Sequence, residues 1–196
     1  MSTCKGVRLE VSPGFLLLLA ILFYLDQGVG LLPWALLACV VHELGHVAAA
    51  LILKGKVSRL SLSVVGAELC FEYPRVLSYG EESLTALAGP AVNLLAGLAA
   101  YGVGAYLPAI LSFGVGAFNL LPVLPLDGGR VLFNVLADRL EPPWPQRILS
   151  VTAGILVGIL VGLGGIVAAE YANITLLLTA GWMLIRFLKK QGEKEK

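Results

Sequence analysis

An apolar run of membrane-spanning length, Leu31 to Leu53, contains a His-Glu-Leu-Gly-His pentad at residues 42–46. A run of about 20 mainly apolar residues predicts a helix that crosses a bilayer. Ionisable side chains within such a helix are costly and usually functional. Residues four apart lie on one face of a helix, so His42 and His46 can bind one metal ion together. The pentad therefore predicts a metal centre inside a membrane helix.

The composition also indicates a membrane protein. Of the 196 residues, 58% are hydrophobic and 14% are charged, and the mean hydropathy is +0.86. A soluble domain of this length needs a more polar surface. We predict an all-α membrane protein with one domain over residues 1–190 and a charged tail at 191–196. The six predicted transmembrane helices lie at 12–26, 31–53, 84–106, 108–126, 148–169 and 171–188.

The distribution of charge supports six alternating spans. If the N-terminus lies in the cytoplasm, all 14 Lys and Arg residues fall in cytoplasmic segments, and the outer loops carry only Asp26 and Glu170. Basic residues are enriched on the cytoplasmic side of membrane proteins. We therefore expect both termini to be cytoplasmic. The net charge of +1 says nothing about nucleic acid, but the sequence has no basic stripe of the kind that a nucleic-acid binder needs, so we expect no nucleic-acid partner.

The segment between the second and third spans is not predicted to cross the membrane. Polar and apolar residues alternate over residues 57–71 around Gly66, which predicts a short β-hairpin. Its exposed edge could pair with an extended substrate peptide, or the segment could be a simple interfacial loop. Residues 130–141 carry apolar side chains at helical spacing, which predicts an interfacial helix.

A catalytic zinc site typically has three protein ligands and one water, so two histidines are not enough. The chain has no third histidine. Asp127 is the best candidate, because Pro122 and Pro125 interrupt the fourth predicted span and allow a loop to carry the carboxylate inward. Asp127 could instead cap a helix end at the interface. We expect one Zn²⁺ per chain, bound by His42, His46 and Asp127.

The remaining polar residues suggest hydrolytic chemistry. Glu43 lies beside the two histidines, where its carboxylate can take a proton from water and later deliver it to a leaving amine. Asn93 and Asn119 are candidates to bind the substrate backbone or to stabilise an oxyanion. Either asparagine could instead form hydrogen bonds between helices.

The pentad, the stretch Ala88-Gly89-Pro90-Ala91-Val92-Asn93 and the stretch from Asn119 to Arg130 together resemble the site-2 protease family of intramembrane metalloproteases, peptidase family M50. The sequence is most similar to the stage IV sporulation protein FB-like branch, although we expect no CBS domain after its last span. The resemblance implies a zinc metalloendopeptidase of the bacterial cytoplasmic membrane that cleaves membrane-associated or transmembrane protein substrates near the cytoplasmic face. It also implies substrate-binding roles for Asn93 and Asn119.

The implied partners are a membrane-embedded or membrane-tethered protein substrate, the lipid bilayer and regulatory membrane proteins; the oligomeric state and a role in sporulation stay open. Two other classes of protein fit part of the pattern. A metal- or proton-coupled transporter would also place His, Glu and Asp within the membrane, but the sequence shows no inverted repeat. An inactive homologue that acts as a membrane scaffold would usually have lost Glu43 or a ligand.

Overall fold

The structure, a computed structural model, describes residues 7–28, 30–64, 66–171 and 181. The chain groups into two units, Met1–Asn119 and Leu120–Lys196. The first unit contains β1 (Arg8–Val11), α1 (Pro13–Asp26), α2 (Leu31–Ile52), β2 (Lys56–Ser63), β3 (Gly66–Glu72), α3 (Tyr79–Gly102) and α4 (Tyr106–Asn119). The second unit contains α5 (Asp127–Ala137) and α6 (Trp144–Tyr171), which pack against each other. The prediction of one domain over residues 1–190 stays a prediction.

Three helices of the first unit, α2, α3 and α4, pack against one another. Small residues allow α2 and α3 to approach closely. A β-carbon on Gly45 would lie only 2.6 Å from the carbonyl oxygen of Ala88. Small residues at helix contacts are typical of membrane proteins, where backbones pack without large side chains between them.

Polar side chains accept hydrogen bonds from the free backbone N–H groups at the starts of α2 and α3. The Asp26 carboxylate accepts hydrogen bonds from the backbone N–H groups of Gly30, Leu31 and Leu32 at 3.0–3.2 Å. Ser78 and Glu81 form a capping box at the start of α3. Arg75 donates hydrogen bonds to the Glu81 carboxylate, which raises the pKa of Arg75. The capping box starts α3 at Tyr79, five residues before the predicted span.

The predicted β-hairpin is present. Strands β2 and β3 pair antiparallel, with Leu62 opposite Ala67, and the turn lies between Ser63 and Gly66. The sequence analysis missed β1, which pairs in parallel with β2 through partners such as Leu9 and Leu60. A strand of four residues is too short to show a clear alternation of polar and apolar residues. Its pairing partners also lie about 50 residues away in the sequence, so the local sequence does not reveal the strand. The sheet order is β1-β2-β3.

The described helices confirm that the fold is mostly helical. The number of six membrane-spanning helices stays a prediction. In the described part of the chain, α2, α3 and α6 (through Glu170) are long and apolar enough to cross a membrane. The apolar helices α1 and α4 have 14 residues each, about 21 Å at 1.5 Å per residue, which is shorter than a typical hydrocarbon core. The sixth predicted span, at 171–188, lies almost entirely outside the described residues.

Helix α4 differs from the predicted span at 108–126, because it ends at Asn119. Pro122 and Pro125 cannot donate the backbone hydrogen bonds that would continue the helix. The N–H of Val123 instead bonds the carbonyl of Leu121 at 2.7 Å, and the next helix begins at Asp127. The predicted helix at 130–141 is present as α5, three residues earlier than expected.

In the first unit, several polar side chains are buried and many large apolar side chains are exposed. On α2, the exposed residues include Leu37, Val40 and Leu44, whereas His42 and His46 are buried. Such a surface suits lipid, since apolar side chains facing water in this number would promote aggregation. This distribution and the long apolar helices identify an integral membrane protein.

Candidate metal centre

The two histidines of the pentad lie on the buried face of α2. That face is formed by Ala38, His42, His46 and Ala50, at four-residue spacing, together with Gly45. Cys39 is exposed and lies off this face. The helical period thus directs both imidazoles to the interior, as the sequence predicts.

The environment of His46 determines which ring nitrogen can bind a metal. Its Nδ1 lies 2.8 Å from the backbone carbonyl oxygen of Thr85 on α3. A carbonyl can only accept, so Nδ1 carries the proton and Nε2 keeps a lone pair. That Nε2 lies 3.1 Å from Nε2 of His42. The two nitrogens therefore converge on one point, as two ligands of a single ion must.

Gly89 on α3 lies directly against both imidazoles. A β-carbon at this position would lie 2.4 Å from Nε2 of His46 and 2.9 Å from Cε1 of His42. Real side chains essentially never approach to such distances. The absence of a side chain at Gly89 is therefore a requirement for the arrangement of the two histidines.

Asn93, one turn after Gly89, is fully buried in the first unit. Its Nδ2 lies 3.4 Å from Nδ1 of His42. Sequence reasoning predicted Asn93 as a residue that binds substrate; the structure places it behind a predicted metal ligand.

Asp127 is the first residue of α5 and is buried. Its carboxylate lies 3.8 Å from Nη1 of the half-exposed Arg130. Two glycines allow the preceding loop to fold back on this helix start. A β-carbon on Gly128 would lie 2.1 Å from the carbonyl oxygen of Leu120, and one on Gly129 would lie 2.4 Å from the carbonyl carbon of Val123. An acidic residue in the first turn also interacts favourably with the helix dipole.

Among the described residues, the two imidazoles of His42 and His46 and the carboxylate of Asp127 are groups that could hold one metal ion. Two imidazoles and one carboxylate are a donor set typical of catalytic zinc, with a fourth position open to water. The hydrogen bond from His46 Nδ1 to the Thr85 carbonyl is of the kind that orients histidine ligands in metal sites. The residues present therefore fit Zn²⁺.

The other two predicted residues lie in different surroundings. Glu43 is half-buried on α2 beside the histidines. Nδ2 of Asn119 donates to the carbonyl oxygen of Val115, one turn earlier on α4, at 3.0 Å. Sequence reasoning missed the Thr85 carbonyl, since a backbone group has no sequence signature. The Gly-Pro pair at residues 89–90 was the available signal for Gly89.

Comparisons with known proteins agree on one family. The model of peptidase family M50 matches residues 105–163. A site-2 protease from Methanocaldococcus jannaschii has a similar structure, with a TM-score of 0.68, 22% sequence identity, and coverage of 96% of this chain and 93% of that chain. At this identity the likeness shows a shared fold.

Curated relatives are similar in sequence. Zinc metalloprotease MJ0392 of M. jannaschii is 27% identical over 68% of this chain, and stage IV sporulation protein FB of Bacillus subtilis is 29% identical over 68%. Putative zinc metalloprotease sll0528 of Synechocystis is 27% identical over 92%. The matches cover 44%, 49% and 56% of these relatives, respectively, so this chain spans about half of their length. Together, the family match, the relatives and the fold show that the chain is similar to the zinc metalloproteases of peptidase family M50, the site-2 protease family.

Proposed function

We propose that the chain is an intramembrane zinc endopeptidase that cleaves membrane-embedded or membrane-tethered protein substrates near the cytoplasmic face. The observation that carries this proposal is the pair of buried histidines, His42 and His46, whose Nε2 atoms lie 3.1 Å apart on a helix of membrane-spanning length. The carboxylate of Asp127 is the proposed third ligand. Burying ionisable side chains within a membrane protein is costly, so packing alone does not account for two imidazoles and a carboxylate, which instead indicate a functional site.

The proposed roles follow from the chemistry of each group. His42, His46 and Asp127 hold Zn²⁺, which when bound supplies Lewis acidity that activates water and polarises a carbonyl. The Glu43 carboxylate takes a proton from the attacking water and delivers it to the leaving amine. Thr85 holds the ring of His46 through its carbonyl, so the ligating nitrogen stays unprotonated. Asn119 is proposed to bind the substrate backbone.

The position of cleavage is proposed from charge and sheet geometry. The C-terminal end of α2 leads into β2 through the basic segment that contains Lys54 and Lys56, and basic residues mark the cytoplasmic side. The order β1-β2-β3 leaves β3 at an edge of the described sheet. An unwound substrate segment can add to such an edge through backbone hydrogen bonds. The name of the B. subtilis relative links that protein to sporulation, and a sporulation-related transcription factor is one candidate substrate of this chain.

Removal of the metal tests this function. In proteoliposomes, we expect the protein to cleave a quenched fluorescent peptide that is fused to a transmembrane helix containing Gly and Pro near the scissile bond. A chelator that strips zinc should abolish cleavage, and one equivalent of Zn²⁺, but not Mg²⁺, should restore it. The same substrate with Leu in place of Gly and Pro is the matched control and should be cleaved slowly, because helical peptide bonds are shielded. Cleavage that continues at full rate after zinc has been removed would contradict the proposal.

A further inference from the structure

Four residues of the first unit form a continuous chain of polar contacts behind and between the two histidines. Nδ1 of His46 donates to the Thr85 carbonyl, so its Nε2 accepts. Nε2 of His42, 3.1 Å away, is then the donor to it, which leaves Nδ1 of His42 as an acceptor for Nδ2 of Asn93. With this set of hydrogen bonds, the proton of the His42 ring lies on Nε2.

A metal ligand needs the opposite arrangement on His42. Nε2 must offer its lone pair to the ion, so the single proton of the neutral ring must lie on Nδ1, where it needs an acceptor. The amide oxygen Oδ1 of Asn93 is buried and accepts no hydrogen bond from the described residues. The present contact between Nδ2 and Nδ1 is 3.4 Å, longer than the roughly 3.0 Å of a good N–H hydrogen bond.

We propose that Asn93 is a positioning residue for His42, and that rotation of its amide by about 180° brings Oδ1 to the Nδ1–H of the ring when the metal is held. The inference rests on the proposed function, in which His42 is a ligand. The ring stays neutral in both arrangements, since one proton leaves Nε2 and one is taken up at Nδ1. An amide suits this position because it can donate with one end and accept with the other.

The burial of Asn93 distinguishes this role from contact with substrate. Its relative exposure is 0%, and it is packed beside Gly116 of α4 as well as His42. A substrate could therefore not reach its amide without a rearrangement of the surrounding residues. Simple packing between helices is also a poor explanation, because a buried amide with an unpartnered oxygen is unfavourable there.

Zinc affinity in two variants tests the proposal. Asn93→Asp keeps an acceptor for Nδ1–H, whereas Asn93→Leu has a similar volume and no polar atom. We expect Asn93→Leu to bind Zn²⁺ about 10- to 100-fold more weakly than wild type in competition with a chelating dye. Asn93→Asp should bind at least as tightly as wild type. If Asn93 only packed between helices, the buried charge of Asn93→Asp would weaken zinc binding at least as much as Asn93→Leu does.

A second readout reports the tautomer directly. The chain has two histidines, so ¹⁵N-labelled histidine gives two ring systems. His46→Gln assigns them in the metal-free protein, and a zinc titration of the wild type carries the assignment to the bound form. With zinc bound, we expect His42 to be protonated at Nδ1 in wild type and in Asn93→Asp. Asn134→Leu, a change at another buried asparagine, on α5, is the control and should keep wild-type affinity. Equal zinc affinity in Asn93→Leu and wild type would overturn the inference alone, whereas a wild-type protein without zinc would overturn the proposed function as well.

Discussion

Replacing Glu43 with glutamine is expected to reduce peptide cleavage about a thousandfold while zinc stays bound. Glutamine has nearly the shape of glutamate, but its neutral amide cannot take a proton from water. The metal ligands are other residues, so the zinc content should not change. The measurement is the rate of cleavage of the tethered fluorescent peptide in proteoliposomes, together with zinc per chain on the same samples.

The same substitution, glutamate to glutamine, at Glu82 provides the control. Glu82, in the first turn of α3, is exposed and has no proposed role, so Glu82→Gln should cleave at the wild-type rate. A Glu43→Gln variant that retains more than about a tenth of wild-type cleavage would rule out Glu43 as the general base. Loss of zinc from this variant would instead assign Glu43 to the metal.

Replacing Gly89 with alanine is expected to weaken zinc binding by about a hundredfold or more. The added methyl carbon would be placed 2.4 Å from Nε2 of His46, the proposed ligating nitrogen, close to the roughly 2.1 Å at which zinc itself binds a histidine. Either the imidazole or the backbone of α3 must move. Alanine favours helix over glycine by about 1 kcal/mol, so a lower helix propensity of α3 cannot explain the loss. Competition with a chelating dye measures the affinity.

Gly97 offers a matched control on the same helix. A β-carbon there would lie 2.8 Å from the ring of Phe113 on α4, so Gly97→Ala also crowds a helix contact, but one away from the histidines. We expect it to retain wild-type zinc affinity. If Gly89→Ala bound zinc as tightly as Gly97→Ala, the close approach of α3 to the imidazoles would not be a requirement of the site.

The parts of the site that sequence could predict are those set by helical periodicity. His42 and His46 face the interior because α2 is a regular helix and the two positions are four apart. Prolines and glycines predicted an interruption before Asp127, but they did not reveal that this residue begins α5. The glycine pair after Asp127 lets the preceding loop fold back on the start of α5.

The contacts that orient the ligands were beyond sequence analysis. The acceptor for His46 is the backbone carbonyl of Thr85, and every residue has such a carbonyl. The polar partner of His42 is Asn93, which the sequence marked only as a polar residue in a predicted span. Strand β1 was missed for a related reason, because its pairing with β2 depends on a distant part of the chain.

The most direct test of the account is the zinc content of the detergent-purified protein. We expect about one zinc per chain in wild type and almost none in Asp127→Asn or His46→Ala, because three protein ligands are needed to hold the ion. Asp138→Asn, at the exposed far end of α5, is the control and should keep one zinc. A wild-type protein without zinc, or full occupancy in Asp127→Asn, would contradict the three-ligand site.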